Sequence, residues 1–352
     1  MTPKNHGMVP DLESDPFGER SPVLVNKRLL LLGGRFQFES NSRELIRLVD
    51  SAYADLPRQR LSTRVPNFRI KLLLTSPGKA YGSVRGRHAL GRSEPPPFTM
   101  LHGAGLLGGA TNSSNFVMLS PRERAALVVV SPQMLRFPYH TRYELIEFAV
   151  FTLAARAQRL VPLHAACVGQ RGRGILLMGA SGAGKSTLAL HCLLDGFEFL
   201  SEDSVFVASK TMLATGVANF LHIRADSLSW LGQSREVAAI RKSPVIERRS
   251  GVKKFEVDLR RDPFRLAKSP LKIEAVVFLS SQSAGVRPLL KPLPRSELFA
   301  NLEATQAYGA SQLQWGSFRR NVSHLDAFEL RRGRHPLDGV DALRALLGAR
   351  AR

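Results

Sequence analysis

The chain has 352 residues, of which 44% are hydrophobic and 7% aromatic; this composition suits packed globular cores and excludes a wholly disordered chain. Its 50 Lys and Arg residues outnumber its 29 Asp and Glu residues, which gives a formal net charge of +21. Two cysteines exclude a disulfide framework, and no apolar run approaches the roughly 18 residues of a membrane-spanning helix. We therefore predict a soluble cytoplasmic protein without a membrane partner.

The basic charge attracts polyanions and acidic proteins through its long-range field. The basic residues are scattered through segments such as "RGRHALGR", "RKSPVIERRSGVKK" and "RRGRH", with few aromatics between them. No zinc-finger, homeodomain or RNA-recognition signature accompanies them. We therefore do not expect a dedicated nucleic-acid-binding protein. The charge is interpreted either as solvated surface or as an attraction for an acidic partner.

The first part of the chain predicts a tail followed by a sheet. Residues 1–22 are polar and interrupted by Pro and Gly, which predicts a disordered tail. From Val23 to about Val130, short apolar runs such as "GRFQFES", "FRIKLLL" and "ALVVVS" predict a mostly antiparallel sheet. A Gly- and Pro-rich segment between Pro77 and Pro97 predicts a mobile loop.

Two helices are predicted in this part. In "SNSRELIRLVDSAYADLP" a Ser or Asn precedes Glu44 as N-cap. The apolar residues at helical spacing in this segment are Leu45, Ile46, Val49, Ala52 and Tyr53. Thr141 and Glu144 have the spacing of a capping box at the start of "RYELIEFAVFTLAARAQR". The second helix ends a smaller N-terminal α+β domain, which we place at residues 23–158.

The boundary near Arg159 opens a second predicted domain, residues 159–347. Its first segment, "LVPLHAACVGQRGRGILLMGA", predicts a strand, a tight connection and a second strand that enters a glycine-rich loop. The overall fold class is therefore α/β, with a mixed sheet and flanking helices in this second domain.

The loop itself lies in "LLMGASGAGKSTLALHC", which satisfies the phosphate-binding pattern GxxxxGK[ST] between an apolar strand and a helix. Glycines permit the turn, and backbone amides at a helix N-terminus attract phosphate. Lys185 is expected to contact the terminal phosphates and Ser186 to ligate Mg²⁺. The predicted cofactors are ATP and Mg²⁺. The predicted nucleotide-binding residues are Gly179, Ala180, Ser181, Gly182, Ala183, Gly184, Lys185, Ser186 and Thr187.

ATPases, GTPases and kinases share a phosphate loop, so the enzyme class has to be inferred from the motifs that accompany the loop. No guanine-specific NKxD motif follows, and the later apolar strand "IEAVVFLSS" ends in Ser280 and Ser281 instead of an acidic residue. In "EFLSEDSVFV" an apolar strand carries Glu202 and Asp203 at its tip. Adjacent strand residues point to opposite faces, so only one of the pair is expected to face the site unless the strand has ended.

Between about Leu163 and Val207 the sequence resembles the catalytic core of the HPr kinase/phosphorylase family. That family places a histidine, a phosphate loop and an acidic pair in this order, here His164, the glycine-rich loop, and Glu202 with Asp203. The resemblance implies a P-loop mixed sheet. It also implies catalytic roles for Asp203 as base, His164 as its assistant and Lys185 as phosphate ligand, with Ser186 and Glu202 as metal ligands.

The chain departs from the family at two places. Glu202 stands where the family usually has aspartate. The region from 238 to 268 is basic and lacks the family's glycine-rich segment with Glu and Arg, so phosphorylase activity is not carried over. Positive charge is needed beside Lys185 for phosphoryl transfer. The candidates for it in this region are Arg248, Arg249, Lys253 and Lys254.

These observations predict an ATP-dependent kinase that acts on a serine or threonine hydroxyl of a protein or peptide, with an acidic acceptor as one option. The alternatives are a P-loop ATPase or small-molecule kinase on the same core, and a non-catalytic nucleotide-dependent binding or scaffold protein. The sequence leaves the acceptor and any oligomeric state open.

Overall fold

The structure, a computed structural model, describes residues 24–75, 97–261 and 264–349. The predicted tail of residues 1–22 lies outside them, as does the predicted loop apart from Pro97 at its end. None of the helices in these ranges combines the length and apolar character that a membrane span requires.

A seven-stranded sheet occupies the first part of the chain, with the strand order β1-β2-β3-β7-β6-β5-β4. Its strands are β1 (Val25–Leu31), β2 (Gly34–Ser40), β3 (Asn67–Leu74), β4 (Thr99–Gly103), β5 (Leu106–Asn112), β6 (Asn115–Ser120) and β7 (Ala125–Val130). Neighbours pair antiparallel except at β3, which runs parallel to both β2 and β7. The mostly antiparallel sheet is thus confirmed, with a parallel centre that a helical crossover permits.

That crossover is α1 (Arg43–Tyr53), which connects β2 to β3. The Ser42 hydroxyl accepts hydrogen bonds from the N–H groups of Glu44 and Leu45, which confirms the predicted N-cap. The buried face consists of the five residues that the helical spacing indicated. Phe36, Phe38 and Ile70 lie in the same core, so one sheet face is covered by this helix.

The second predicted helix begins earlier than the sequence suggested. It consists of α2 (Pro138–His140), a π-helical segment (Thr141–Ile146) and α3 (Glu147–Gln158). The predicted capping box is wrong, because Pro138 opens the helical region and Thr141 already lies inside it. The Thr141 hydroxyl donates to the carbonyl oxygens of Met134 and Phe137, while Glu144 accepts from His140 instead of capping.

The described residues from 160 onward form a nine-stranded mixed sheet and a three-stranded sheet, the latter made of the strands Phe220–Ile223, Val245–Glu247 and Lys253–Asp258. The strands are β8 (Leu160–Leu163), β9 (Ala166–Gln170), β10 (Arg173–Met178), β11 (Glu198–Ser201), β12 (Val205–Ala208), β13 (Leu213–Gly216), β14 (Phe220–Ile223), β15 (Val245–Glu247), β16 (Lys253–Asp258), β17 (Leu271–Ser283), β18 (Leu290–Pro292) and β19 (Asp326–Arg332). The helices are α4 (Lys185–Leu194), α5 (Arg235–Arg241), α6 (Arg295–Thr305), α7 (Ala307–Ala310), α8 (Trp315–Val322) and α9 (Pro336–Ala349).

The larger sheet has the order β11-β9-β10-β17-β13-β12-β8, and β19 pairs with β17. The parallel strands β10, β17 and β19 form its centre. The predicted tight connection is confirmed, because β9 and β10 form a hairpin through Arg171 and Gly172, both with positive φ. Mixed sheets with helices establish the predicted α/β fold class.

The two parts of the chain share packing. Phe206 and Val217, from the second part, are buried in the core of the first sheet. Arg159 ends α3 in the left-handed conformation at φ 56°, immediately before β8. The division into two domains at this residue stays a prediction.

Candidate active site

The glycine-rich loop connects the end of β10 to the start of α4. Gly179, Gly182 and Gly184 have φ values of 140°, 81° and 100°, a region that favours glycine. A Cβ atom at Gly179 would lie 2.9 Å from the carbonyl oxygen of Leu279 on the neighbouring strand β17. The loop therefore turns tightly against the sheet, and its amides precede a ten-residue helix whose N-terminus favours anions.

Lys185 folds back onto this loop. Its Nζ donates to the carbonyl oxygens of Gly179 at 2.7 Å and Ala180 at 3.2 Å. Burial lowers the pKa of Lys185 from its usual range, while the nearby carboxylates of Asp203 and Glu202 act in the opposite direction. A phosphate oxygen is a stronger acceptor than these carbonyls, so the ammonium group is held in the loop and available to an anionic ligand.

A cavity of about 660 Å³ opens in front of the loop, a volume that suits a small-molecule ligand. Ser181 to Thr187 line it, whereas Gly179 and Ala180 lie behind and bind Lys185. Carboxylates reach it from Glu202, Asp203 and Asp226. Its cationic lining residues are Lys185, Arg224, Arg248, Lys254, Arg331, Arg332 and Arg334. This excess of positive charge fits a polyanion such as a nucleoside triphosphate.

Glu202 and Asp203 both line the cavity because β11 ends at Ser201, before the acidic pair. The alternation that would separate two adjacent strand residues therefore does not apply to them. Glu202 accepts a hydrogen bond from the Ser186 hydroxyl and, at 3.0 Å, one from the backbone N–H of His222. Burial raises the pKa of Glu202, but the hydrogen bonds from His222 and Ser186 outweigh burial and hold it below its usual range.

The Ser186 hydroxyl and the Glu202 carboxylate form an oxygen pair beside Lys185. Hard oxygen donors are the ligands that Mg²⁺ prefers, and Mg²⁺ in nucleotide sites keeps several waters with only one or two protein ligands. A cluster of three or more His, Cys, Asp or Glu residues suited to a metal does not occur in the described ranges. The donor set thus fits a metal shared with phosphate oxygens, not a cage made by protein alone.

His164 and Asp203 form a pair at the edge of the cavity. The His164 Nδ1 lies 2.8 Å from Asp203 Oδ1, and Arg248 Nη2 lies 3.7 Å from Oδ2. Burial raises the pKa of Asp203, but the hydrogen bond and charge of His164 and the charge of Arg248 lower it to about 2. Asp203 is therefore an ionised carboxylate with one oxygen engaged by histidine.

His164 lies between β8 and β9, where the chain changes its strand partners. Its backbone N–H donates to Gln306 Oε1 at 2.8 Å, and Gln306 Nε2 donates to its carbonyl oxygen at 3.1 Å. Gln306 is 2% exposed. A buried amide thus fixes the segment that carries the histidine. Nothing in the sequence around Gln306 indicated this contact, which spans 142 positions.

The four basic candidates differ in their positions. Arg248 and Lys254 line the cavity. Arg249 Nε and Nη2 each lie 2.6 Å from a Glu144 carboxylate oxygen, outside the cavity, and the exposed Lys253 lies 3.9 Å from Glu247. Arg248 and Lys254 are therefore the two cations of this group that line the same cavity as Lys185.

A buried polar chain behind Glu202 was missed by sequence reasoning. His222 Nδ1 lies 3.6 Å from Glu202 Oε2, and its Nε2 lies 3.3 Å from Glu256 Oε1. Glu256 in turn binds the guanidinium of Arg142, which lies 3.7 Å from Glu147. Burial lowers the pKa of His222, but the two carboxylates outweigh burial and raise it. The sequence signal is weak: one histidine in the apolar strand "FLHI".

Part of the chain is similar to a curated protein of known name. The chain is 30% identical over 90 residues to an HPr kinase/phosphorylase of Chlorobium phaeobacteroides (strain BS1), a match that covers 24% of this chain and 26% of that protein. The chain thus matches about a quarter of the length of this curated relative. No protein-family model matches. Over this matched stretch the chain is thus similar to an HPr kinase/phosphorylase, in agreement with the resemblance of its sequence.

A solved structure of the Hpr(Ser) kinase/phosphatase from Coxiella burnetii aligns with 54% of this chain and 99% of that chain, at 14% identity. The TM-score of this alignment is 0.27, a value from which no structural conclusion follows.

Proposed function

We propose that this protein is an ATP-dependent kinase that transfers the terminal phosphoryl group to a serine or threonine hydroxyl of a protein or peptide. The observation that carries the proposal is the His164–Asp203 pair, 2.8 Å apart, at the edge of the cavity that the phosphate loop and Glu202 also line. A binding or scaffold protein needs the loop but does not need a positioned carboxylate beside it. The similarity to an HPr kinase/phosphorylase supports a kinase as well.

In this proposal the chain binds the phosphates of ATP through the amides of Ser181 to Ser186 and through Lys185, which exchanges its loop carbonyls for phosphate oxygens. Arg248 and Lys254 add positive charge at the same cavity, where negative charge develops during transfer. Ser186 and Glu202 would hold Mg²⁺. When bound, this ion neutralises phosphate charge.

Asp203 is the proposed base. Its Oδ1 accepts from His164, and Oδ2, which lies 3.7 Å from Arg248 Nη2, is the oxygen proposed to accept the proton of the attacking hydroxyl. A carboxylate with a pKa of about 2 takes that proton only while the new bond to phosphorus forms and the hydroxyl becomes acidic. His164 orients the carboxylate, and its own backbone is fixed by Gln306.

Product analysis tests the proposal against its rivals. The protein is incubated with Mg²⁺ and ATP labelled in the terminal phosphate, together with peptides that contain one Ser, one Thr or only Ala at the central position. We expect label in the Ser or Thr peptides and not in the Ala peptide. Release of labelled inorganic phosphate alone, at a rate independent of peptide, would identify an ATPase. Tight ATP binding with neither product would identify a nucleotide-dependent binding protein. Lys185→Ala is the negative control.

The cytoplasmic location stays a prediction of the sequence, and the oligomeric state stays open.

A further inference from the structure

A second cavity of about 400 Å³ adjoins the His164–Asp203 pair. His164 and Asp203 line both this cavity and the basic cavity of the phosphate loop. The pair therefore stands at the boundary between two binding spaces. We call the second one the aromatic cleft.

Both parts of the chain build the aromatic cleft. Phe151 and Ala155 of α3 line it, as does Tyr308 of α7. Pro162 of β8 and Phe206 of β12 also line it, and the two are direct partners in the antiparallel pairing of these strands. Most of its lining residues thus lie in helices and strands, while His164, Asp203 and Ser204 lie in connections between strands.

The two cavities differ sharply in charge. Among the described residues that line the aromatic cleft, Lys and Arg do not occur, and Asp203 contributes the carboxylate. The basic cavity next to it has seven Lys and Arg residues. A phosphate or a carboxylate placed in the aromatic cleft would lose water without gaining a cation, and burial of an unpaired charge is costly. The aromatic cleft therefore suits an uncharged, apolar group.

We propose that the aromatic cleft binds the phosphoryl acceptor, a peptide segment whose serine or threonine reaches Asp203 and whose adjacent residue is aliphatic or aromatic. This inference rests on the kinase function proposed above and names the acceptor that its site takes. In-line transfer needs separate spaces for the nucleotide and for the hydroxyl, and Asp203 lines both cavities, so a nucleotide in one and a hydroxyl in the other would meet at this carboxylate.

The occupant follows from the size and the rim of the cleft. A cavity of about 400 Å³ exceeds one serine side chain and accommodates an adjacent apolar side chain as well. At its rim, Tyr308 is 49% exposed and Tyr143 is 37% exposed, and half-exposed aromatic rings with a polar end are common anchors for peptides. The positive net charge of the chain left an acidic acceptor as one option. An acidic residue directly beside the acceptor hydroxyl is disfavoured, because the Asp203 carboxylate would repel it.

A peptide library tests the inference. Peptides of one length carry a central serine, and the residue beside it is Leu, Phe, Ala, Lys or Glu. Labelled ATP reports kcat/KM for each peptide. We expect Phe and Leu peptides to exceed the Glu peptide by about tenfold or more, since apolar pockets discriminate at roughly that level. A small apolar alcohol, 3-phenylpropan-1-ol, is included as a separate probe.

Two variants link this preference to the cleft. Tyr308→Ala should reduce the preference for Phe over Ala by about tenfold and leave the KM for ATP unchanged. Ala307→Arg places a cation at an exposed lining position and should raise kcat/KM for the Glu peptide relative to the Leu peptide. The matched controls are Leu313→Ala and Val286→Arg, at exposed positions outside the cleft, which should change neither ratio. A loss of folding cannot reverse a specificity ratio.

The remaining outcomes separate a failure of the cleft inference from a failure of the kinase proposal. A wild-type preference for the Glu peptide, or cleft variants that behave like the controls, overturns the cleft inference and leaves the kinase proposal intact. Phosphorylation of the alcohol without any peptide overturns the peptide occupant. If none of these hydroxyls is phosphorylated, the kinase proposal fails and the acceptor assignment fails with it.

Discussion

Replacement of Asp203 by asparagine is the sharpest test of the proposed base. Asparagine keeps the size of the side chain, and its carbonyl oxygen can still accept the hydrogen bond that His164 Nδ1 makes at 2.8 Å. The variant loses the negative charge and the ability to take a proton. Loss of general-base catalysis typically costs on the order of 100- to 10,000-fold in rate. We therefore expect label transfer to a serine peptide to fall by that factor.

Stability cannot account for a loss of this size. The His164–Asp203 pair is partly open to solvent, with the two side chains 52% and 29% exposed, so its contribution to folding is screened and amounts to about 1 kcal/mol or less. Proteins of ordinary stability, roughly 5–15 kcal/mol, stay folded after such a change. Nucleotide affinity should stay equal or increase, because the substitution removes a carboxylate from a cavity that receives phosphates.

The assay measures single-turnover transfer and equilibrium binding of Mg-ATP on the same preparations. Asp226→Asn is the matched control, because Asp226 also lines the cavity but is exposed and pairs with Arg224 at 3.2 Å. It should retain transfer within a few fold. Full transfer by Asp203→Asn would refute the base assignment. Loss of metal-dependent ATP binding together with transfer would instead identify Asp203 as a metal ligand and make Glu202 the next candidate base.

Three further predictions concern other residues. Lys185→Ala should weaken binding of a fluorescent ATP analogue by about 10- to 100-fold, the range for a charged hydrogen bond, whereas the exposed Lys253→Ala should not. Burial raises the pKa of Glu147 from 4.5 to about 7. Between these two pH values the folded protein therefore keeps a proton on Glu147 that the unfolded chain releases. The free energy of unfolding should then fall by up to roughly 3 kcal/mol as the pH rises from 4.5 to above 7. Glu147→Gln should remove that fall, as measured by denaturant unfolding at pH 5 and pH 8. Gln306→Ala removes both hydrogen bonds to the His164 backbone. It should lower kcat by about tenfold and leave the affinity for ATP unchanged. A protein that is merely destabilised would lose activity and ATP affinity together.

The features that the sequence predicted are those determined by local chemistry. Ser42 and the apolar spacing after it specify α1, because a side-chain cap and a 3.6-residue period act within one segment. The glycine-rich loop follows the same logic: only glycine tolerates the φ of 140° at Gly179 beside the Leu279 carbonyl. The resemblance to the HPr kinase/phosphorylases implied that His164 assists Asp203, and the structure places the two side chains in contact.

The features that the sequence did not predict depend on contacts between distant segments. Gln306 reaches His164 across 142 positions, and neither residue has a neighbouring pattern that requires the other. Likewise, the sequence around His222 shows only one polar residue on a short strand. The pairing of β14 with β16 brings this histidine to Glu256. The capping box predicted at Thr141 and Glu144 was wrong for a different reason. Their local spacing is that of a cap, but the helical region begins earlier, at Pro138.

The first part of the chain supports the candidate site through buried charge. Arg142, which precedes α3, binds Glu256, and Glu256 binds His222 beside Glu202. Each of these groups is buried, and removing one member of a buried pair leaves its partner uncompensated, typically at about 3–5 kcal/mol. The carboxylate proposed to hold the metal is therefore positioned by a chain of contacts that begins outside the P-loop segment. Phe151 of α3 also lines the aromatic cleft, so the same helical region bounds the acceptor side. The helical region from Pro138 to Gln158 therefore contributes residues both to the polar chain behind Glu202 and to the cleft beside Asp203.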